Sequence, residues 1–140
     1  MACILHFLTC RDLSEQEKTV KTRVVDTDVL ENLVLHIGAA NMRIVVAKVQ
    51  REVPVLWQEL IESSRDRDNE ATERHLHVLA TVFRSVGLIK IADALVGIEM
   101  KLRVGESVDP VWISGLEEVK HVSMEALSLQ LEREFPAVAV

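Results

Sequence analysis

His77, Thr81 and Arg84 have a spacing that could support phosphoryl chemistry, because Thr81 and Arg84 follow His77 by four and seven residues. On an α-helix these three positions share one face, and the apolar side chains of the segment, centred on Leu79 and Phe83, fall away from it. Neutral imidazole is a good nucleophile near pH 7, and nearby cations or donors can stabilise phosphoryl oxygens. The pattern predicts an exposed histidine whose surroundings suit phosphoryl transfer. From position alone, an ordinary surface histidine is the favoured interpretation.

The other histidines fit less demanding interpretations. His75 lies nearer the apolar edge of the same segment and is the alternative phosphoryl acceptor. We interpret His36 and His121 as surface or half-buried helix residues, because neither has metal-ligand spacing to other donors. The sequence therefore predicts no metal site.

The elements that must position His77 are five predicted helices, each with an apolar periodicity close to 3.6 residues. Caps, glycines and prolines mark their ends. The expected helices are a short one from the N-cap Asp26 to the stop at Gly38, a long one from about Ala40 to Ser63 that contains Pro54, a third from a cap at Asp68 or Asn69 to about Val86, a fourth from about Leu88 to Val104, and a fifth from Asp109-Pro110 to about Glu134.

Short joints between these segments favour antiparallel packing of neighbouring helices. The predicted fold is all-α, an antiparallel four-helix bundle with an additional short N-terminal helix. We expect residues 24–135 to form this bundle and residues 1–23 to be an N-terminal extension, for which a helical and a loose conformation both stay open.

Composition narrows the class of protein. The 140 residues suit a single domain, and 49% apolar residues argue against disorder. A net charge of −6 with scattered Lys and Arg gives no indication of a nucleic-acid partner. The two cysteines, Cys3 and Cys10, are too few and too close for a disulfide framework, so we expect reduced thiols in a cytoplasmic protein.

The opening residues MACILHFLTC are apolar but number only ten. They are too few to span a bilayer, and they lack the basic region and cleavage site of a signal peptide. We expect no membrane partner. A short helix packed on the bundle, a homo-oligomer contact and upstream sequence foreign to the domain stay open as interpretations.

The segment HLHVLATVFRSVGLIKIADALVGIEMKLRVGE resembles the signature of the histidine-containing phosphotransfer (HPt) family, and the similar layout extends over about residues 24–133. In that family the phosphorylatable histidine is followed by an apolar residue, a small residue and a helix-ending glycine, and then by an acid or amide and a basic residue on the next helix. The corresponding residues here, counted from His77, are Leu79 at +2, Thr81 at +4, Gly87 at +10, Glu99 at +22 and Arg103 at +26. His75 fits less well, because Ser85 would then occupy the glycine position.

The resemblance implies a phosphorelay intermediate whose His77 accepts a phosphoryl group from a receiver-domain aspartate or passes one on. The expected partners are a response regulator receiver domain and a hybrid histidine kinase. The chain itself would need no cofactor, since the receiver brings Mg²⁺, and it has no ATP-binding segment of a kinase. The resemblance also implies that Glu99 and Arg103 lie near the phosphoryl group, and the helical spacing places Thr81 and Arg84 on the same stripe as His77. A solvated charge at Glu99 and a helix-dipole cation at Arg103 are the alternatives.

Three positions depart from the family pattern. Ala80 stands where a lysine is usual, Thr81 where a glycine is usual, and Leu76 where an alanine is usual. Arg84 or Arg103 would then supply the missing cation. The departures keep a second hypothesis open, a degenerate module that binds receiver domains without phosphotransfer. A helical scaffold with no receiver partner is a third, favoured if His77 is buried. For a docking partner we expect an apolar patch near Val78, Leu88 or Val96.

Overall fold

The computed structural model of the chain describes residues 24–135, and every regular element in this range is an α-helix. The all-helical prediction is therefore confirmed for the described residues. The predicted extension of residues 1–23 lies outside them. The six helices are α1 (Thr27–Ile37), α2 (Ala39–Arg65), α3 (Asn69–Ser85), α4 (Ile89–Arg103), α5 (Pro110–Ser114) and α6 (Glu117–Glu134).

Local capping residues set most of the helix ends. Asp26 accepts a hydrogen bond from the backbone N–H of Asp28 (3.0 Å), and Asp109 accepts one from Val111 (3.0 Å), so both act as the N-caps that the sequence predicts. At α3 the cap is Asp68 rather than Asn69, since its carboxylate accepts from the N–H of Ala71. Helix α2 is 27 residues long and continues through Pro54. The apolar repeat on both sides of the proline predicts this continuity.

The prediction of one helix from Asp109-Pro110 to Glu134 is wrong, because the chain forms two helices there. Helix α5 ends at Ser114, and α6 begins at Glu117 after a tight turn over Gly115 and Leu116. In this turn the N–H of Leu116 bonds to the carbonyl of Ile113 (3.0 Å), three residues back. Glycine weakens a helix interior, while the apolar spacing runs across the break.

Neighbouring long helices run antiparallel, as polar contacts between them show. For α3 and α4, residues with higher numbers on one helix contact residues with lower numbers on the other. The same holds for α2 with α3 and for α2 with α6. The pairs are Glu73–Arg103, His77–Glu99 and Arg84–Asp93 for α3 and α4, Glu59–His75 and Ser63–Thr72 for α2 and α3, and Trp57–Lys120 and Gln50–Ser128 for α2 and α6.

One apolar core joins the helices, and it is built mainly from Leu, Val, Ile, Ala and Met with Trp57 and Phe83 as the only buried aromatic residues of the described chain. Helix α3 contributes four buried apolar residues on one face: Leu76, Leu79, Ala80 and Phe83. Because this face is committed to the core, the opposite face of α3 must meet solvent.

The turn between α3 and α4 holds α1 against the bundle. The N–H of Asp26 donates to the carbonyl of Gly87 at 2.7 Å. Gly87 has a φ of +83°, a conformation that L side chains rarely adopt, and a Cβ there would lie 2.5 Å from the Asp26 carbonyl oxygen and 3.3 Å from Val29 Cβ. This position therefore needs glycine for both its backbone angle and its close approach to α1.

The two ends of the described chain lie together. Val24 and Val25 line a groove with Leu129 and Arg133 of α6, beside the start of α1. No helix within residues 24–135 has both the length and the apolar character needed to cross a bilayer.

Gly87→Ala should lower the free energy of unfolding by about 2 kcal/mol or more, because a left-handed non-glycine residue and a steric overlap with α1 are both introduced. Gly97→Ala in α4 is the matched control, since its added Cβ meets no atom within 4 Å and alanine is the better helix former by about 0.5–1 kcal/mol. Urea denaturation measures both. Equal effects of the two substitutions would show that the contact at Gly87 has no special role.

Candidate functional site

Helix α3 presents His77 to solvent. The imidazole side chain is 64% exposed, while Leu76 beside it is fully buried. The exposure agrees with the helical projection of the sequence. Access by another protein is the first requirement for phosphoryl transfer between proteins, and the described part of the chain leaves that access open.

One ring nitrogen of His77 contacts a buried carboxylate. Nδ1 lies 3.3 Å from Oε1 of Glu99 on α4, and the Glu99 side chain is only 4% exposed. Among residues 24–135 the other nitrogen, Nε2, has no hydrogen-bond partner. A carboxylate that accepts from Nδ1–H fixes the neutral ring in the tautomer whose lone pair is on Nε2. The nucleophilic nitrogen is then the one that faces away from Glu99.

Arg103 completes the charge network around the ring. Its Nη2 lies 2.9 Å from Oε2 of Glu99, and its Nε lies 3.1 Å from Oε1 of Glu73. Glu99 thus binds His77 with one oxygen and Arg103 with the other, so it is not a solvated charge. With a neutral ring, the network of two carboxylates and one guanidinium carries a net charge of −1.

Thr81 and Arg84 lie on the His77 side of α3, but their recorded bonds lead elsewhere. The Thr81 hydroxyl donates to the backbone carbonyl of His77 at 2.9 Å, within its own helix. The Arg84 guanidinium donates to the Asp93 carboxylate at 2.8 Å, and both side chains are at least half exposed. Contacts with a phosphoryl group therefore stay a prediction for these two residues.

Ala80, which stands where the resembling family usually has lysine, is 3% exposed and belongs to the core. The chain thus carries no cation at this position. Two arginines could supply the missing positive charge. Arg103 shares the Glu99 carboxylate with His77, whereas Arg84 is paired with Asp93.

His75 has a different environment although it is only two residues from His77. Its side chain is 20% exposed, and its Nδ1 lies 3.1 Å from the Ser63 hydroxyl on α2. Ser63 also contacts the Thr72 hydroxyl at 3.1 Å. His75 therefore takes part in packing between α2 and α3, and His77 is the more accessible of the two histidines.

Glu73, which shares Arg103 with Glu99, was not among the residues predicted from the sequence. Glu73 precedes His77 by four residues, so the helical spacing that drew attention to Thr81 could also have found it. Asp93, the partner of Arg84, was likewise missed, and nothing in the sequence alone marks it.

The expected apolar docking patch is partly wrong. Val78 is 38% exposed and Val96 is partly buried, but Leu88 is completely buried in the core. Leu88 immediately precedes α4, where the chain turns inward. It cannot contribute to a docking surface.

The described residues contain no group of three or more His, Cys, Asp or Glu side chains placed to hold a metal ion. His36 bonds to a backbone carbonyl of its own helix (Asn32, 2.7 Å). His121 is 76% exposed beside Glu125.

Comparison of the chain with protein-family models, with curated proteins and with solved structures found no match.

Arg103→Met should cost roughly 2–3 kcal/mol of folding free energy, somewhat less than breaking a fully buried ion pair because Arg103 is itself half exposed. The cost arises because the buried Glu99 carboxylate loses its strongest partner. Arg84→Met is the matched control, since it breaks an exposed pair worth about 0–1 kcal/mol. Chemical denaturation of both variants tests the difference, and equal costs would mean that Glu99 does not depend on Arg103.

Proposed function

We propose that this chain is a histidine phosphotransfer protein, in which His77 carries a phosphoryl group to or from the aspartate of a receiver domain. The observation that carries the proposal is the geometry of His77: an exposed ring whose Nδ1 contacts the buried Glu99 carboxylate. This geometry provides an oriented nucleophilic nitrogen on an open helix face.

The proposed fold is an antiparallel four-helix bundle of the HPt type, formed by α2, α3, α4 and α6, with α1 as the additional short helix. The antiparallel contacts of α2 with α3 and α6, and of α3 with α4, support it. In such a bundle a histidine near the middle of α3 faces solvent while its neighbours fill the core.

In the proposed reaction, Nε2 of His77 attacks the phosphorus of an aspartyl phosphate. The N–P bond forms as the P–O bond breaks, and the electron pair of that bond returns to the aspartate carboxylate. The ring then bears a positive charge, which the Glu99 carboxylate at Nδ1 stabilises. Reversal of these steps delivers the group to another aspartate, and the receiver supplies the Mg²⁺ that both directions require.

Arg103 is the cation best placed to meet the phosphoryl oxygens. It is 49% exposed and shares the Glu99 carboxylate with His77. A guanidinium forms strong charge-assisted bonds with such oxygens. Thr81 and Arg84 lie along the same side of α3 and are assigned a secondary role in contacting the phosphoryl group or the incoming receiver.

The proposed partners are a response regulator receiver domain and a hybrid histidine kinase, with Val78 as an exposed apolar contact next to His77. Such a relay operates in the cytoplasm, and the two cysteines of the chain suit a reducing compartment.

One observation favours a second candidate, a module that binds receiver domains without transferring phosphate. The two arginines that could replace the missing lysine, Arg84 and Arg103, are already paired with carboxylates, and Ala80 provides no cation. A phosphoryl group on His77 would then have to displace an existing ion pair to bind either of these two arginines.

Incubation with potassium phosphoramidate, a small phosphoryl donor, should place one acid-labile phosphoryl group on the wild-type chain and none on His77→Gln. Phosphorus NMR would detect the N-phosphorylated imidazole. His121→Gln is the matched control, because His121 is even more exposed than His77 but has no buried carboxylate at its ring. Phosphoryl label that persists at full level in His77→Gln would contradict the proposal.

Addition of receiver domains to the loaded chain separates the two candidate functions. Loss of the phosphoryl group from His77 with its appearance on the receiver aspartate supports the relay. Tight binding of a receiver without any transfer, in either direction, supports the binding module instead.

Glu99→Leu should lower the initial rate of loading by phosphoramidate by about ten-fold or more, because Nδ1–H loses its acceptor and the ring loses its preferred tautomer. Glu99→Gln keeps an acceptor oxygen at the same place but removes the charge that stabilises the phosphorylated ring, so its rate should fall between those of the wild type and the leucine variant. Nitrogen NMR of the imidazole reports the tautomer in each variant. Equal loading rates for the leucine and glutamine variants would contradict this role of Glu99.

A further inference from the structure

Arg103 divides its guanidinium between two carboxylates of unequal burial. Nη2 contacts Glu99, whose side chain is 4% exposed, and Nε contacts Glu73, whose side chain is 37% exposed. A buried carboxylate cannot give up its partner cheaply, whereas an ion pair between exposed groups is worth little. The bond between Arg103 and Glu73 is therefore the one that a newly arrived anion can break.

A phosphoryl group on His77 would be such an anion. It would bring close to two negative charges to a ring that shares Glu99 with Arg103. Within the network that includes His77, the positive charge that can be released is the half of the Arg103 guanidinium that Glu73 occupies. Glu73 and the phosphoryl oxygens would thus compete for the same donors, while Glu99 keeps the other side of the guanidinium in place.

We propose that Glu73 is a positioning residue that shortens the lifetime of phosphohistidine by withholding Arg103 from the phosphoryl group. This inference rests on the proposed function, since it assumes that His77 is phosphorylated. A site controlled in this way favours rapid onward transfer over storage of the phosphoryl group.

The physical reason lies in the charge change during loss of the group. In hydrolysis, a water oxygen attacks phosphorus, the N–P electron pair returns to Nε2, and phosphate leaves while the water gives up a proton. The transition state is loose and metaphosphate-like, so the phosphoryl oxygens have lost negative charge to the ring. A guanidinium bound to those oxygens stabilises the phosphohistidine more than the transition state, and it therefore slows the reaction.

The test compares Glu73→Gln with the wild type after loading with potassium phosphoramidate and removal of the reagent. Phosphorus NMR then follows the decay of the phosphohistidine signal in the absence of any receiver. We expect Glu73→Gln to lengthen the half-life by about two- to five-fold, in line with the modest strength of an exposed ion pair. An unchanged or shorter half-life would overturn the inference.

Glu70→Gln is the matched control. Glu70 is exposed on the same helix and has no ion pair among the described residues, and the substitution removes the same charge. Its half-life should equal that of the wild type. A half-life lengthened equally in both variants would show that overall charge, rather than the bond to Arg103, sets the lifetime, and would also overturn the inference.

Repeating the comparison in an Arg103→Lys background tests whether Glu73 acts through Arg103. Lysine keeps a positive charge for Glu99 but lacks the fork that holds two carboxylates. The gain from Glu73→Gln should shrink toward one-fold there, and an undiminished gain would contradict the proposed route. Failure of the wild type to load at His77 would instead count against the phosphotransfer function itself.

Discussion

The buried carboxylate of Glu99 is the interaction on which both the packing and the site depend. It lies at the contact of α3 and α4, where an ionised group without partners would be costly. His77 meets one of its oxygens and Arg103 the other. The requirement to satisfy this carboxylate therefore fixes how the two helices face each other at this level, and it orients the imidazole at the same time.

Helix α3 packs against the bundle with one face and exposes His77 on another. His75 and His77 are only two residues apart, yet one is held between α2 and α3 by Ser63 and the other stands in solvent beside α4. A rotation of about 200° over two residues accounts for the contrast. The core face of the helix gives it a rigid position, and that rigidity is what allows a single exposed ring to be held in one orientation.

Local signals account for the parts of the fold that could be predicted from sequence. Asp26, Asp68 and Asp109 bond to backbone N–H groups within three residues, so their capping role follows from their position alone. The break at Gly115 was missed because apolar spacing continues across it. At the site, the exposure of His77 followed from periodicity. The bonds from Arg84 to Asp93 and from Arg103 to Glu73 could not be predicted in this way, because they depend on which residues of separate helices come opposite each other.

The groove shared by Val24, Val25 and Arg133 places both ends of the described chain at one end of the helix assembly, near the α3–α4 turn that bonds to Asp26. His77 lies ten residues before Gly87, about 15 Å away along α3 at the usual helical rise. Segments joined to Val24 and Glu134 would consequently both begin at this end of the assembly, about three helical turns from the imidazole.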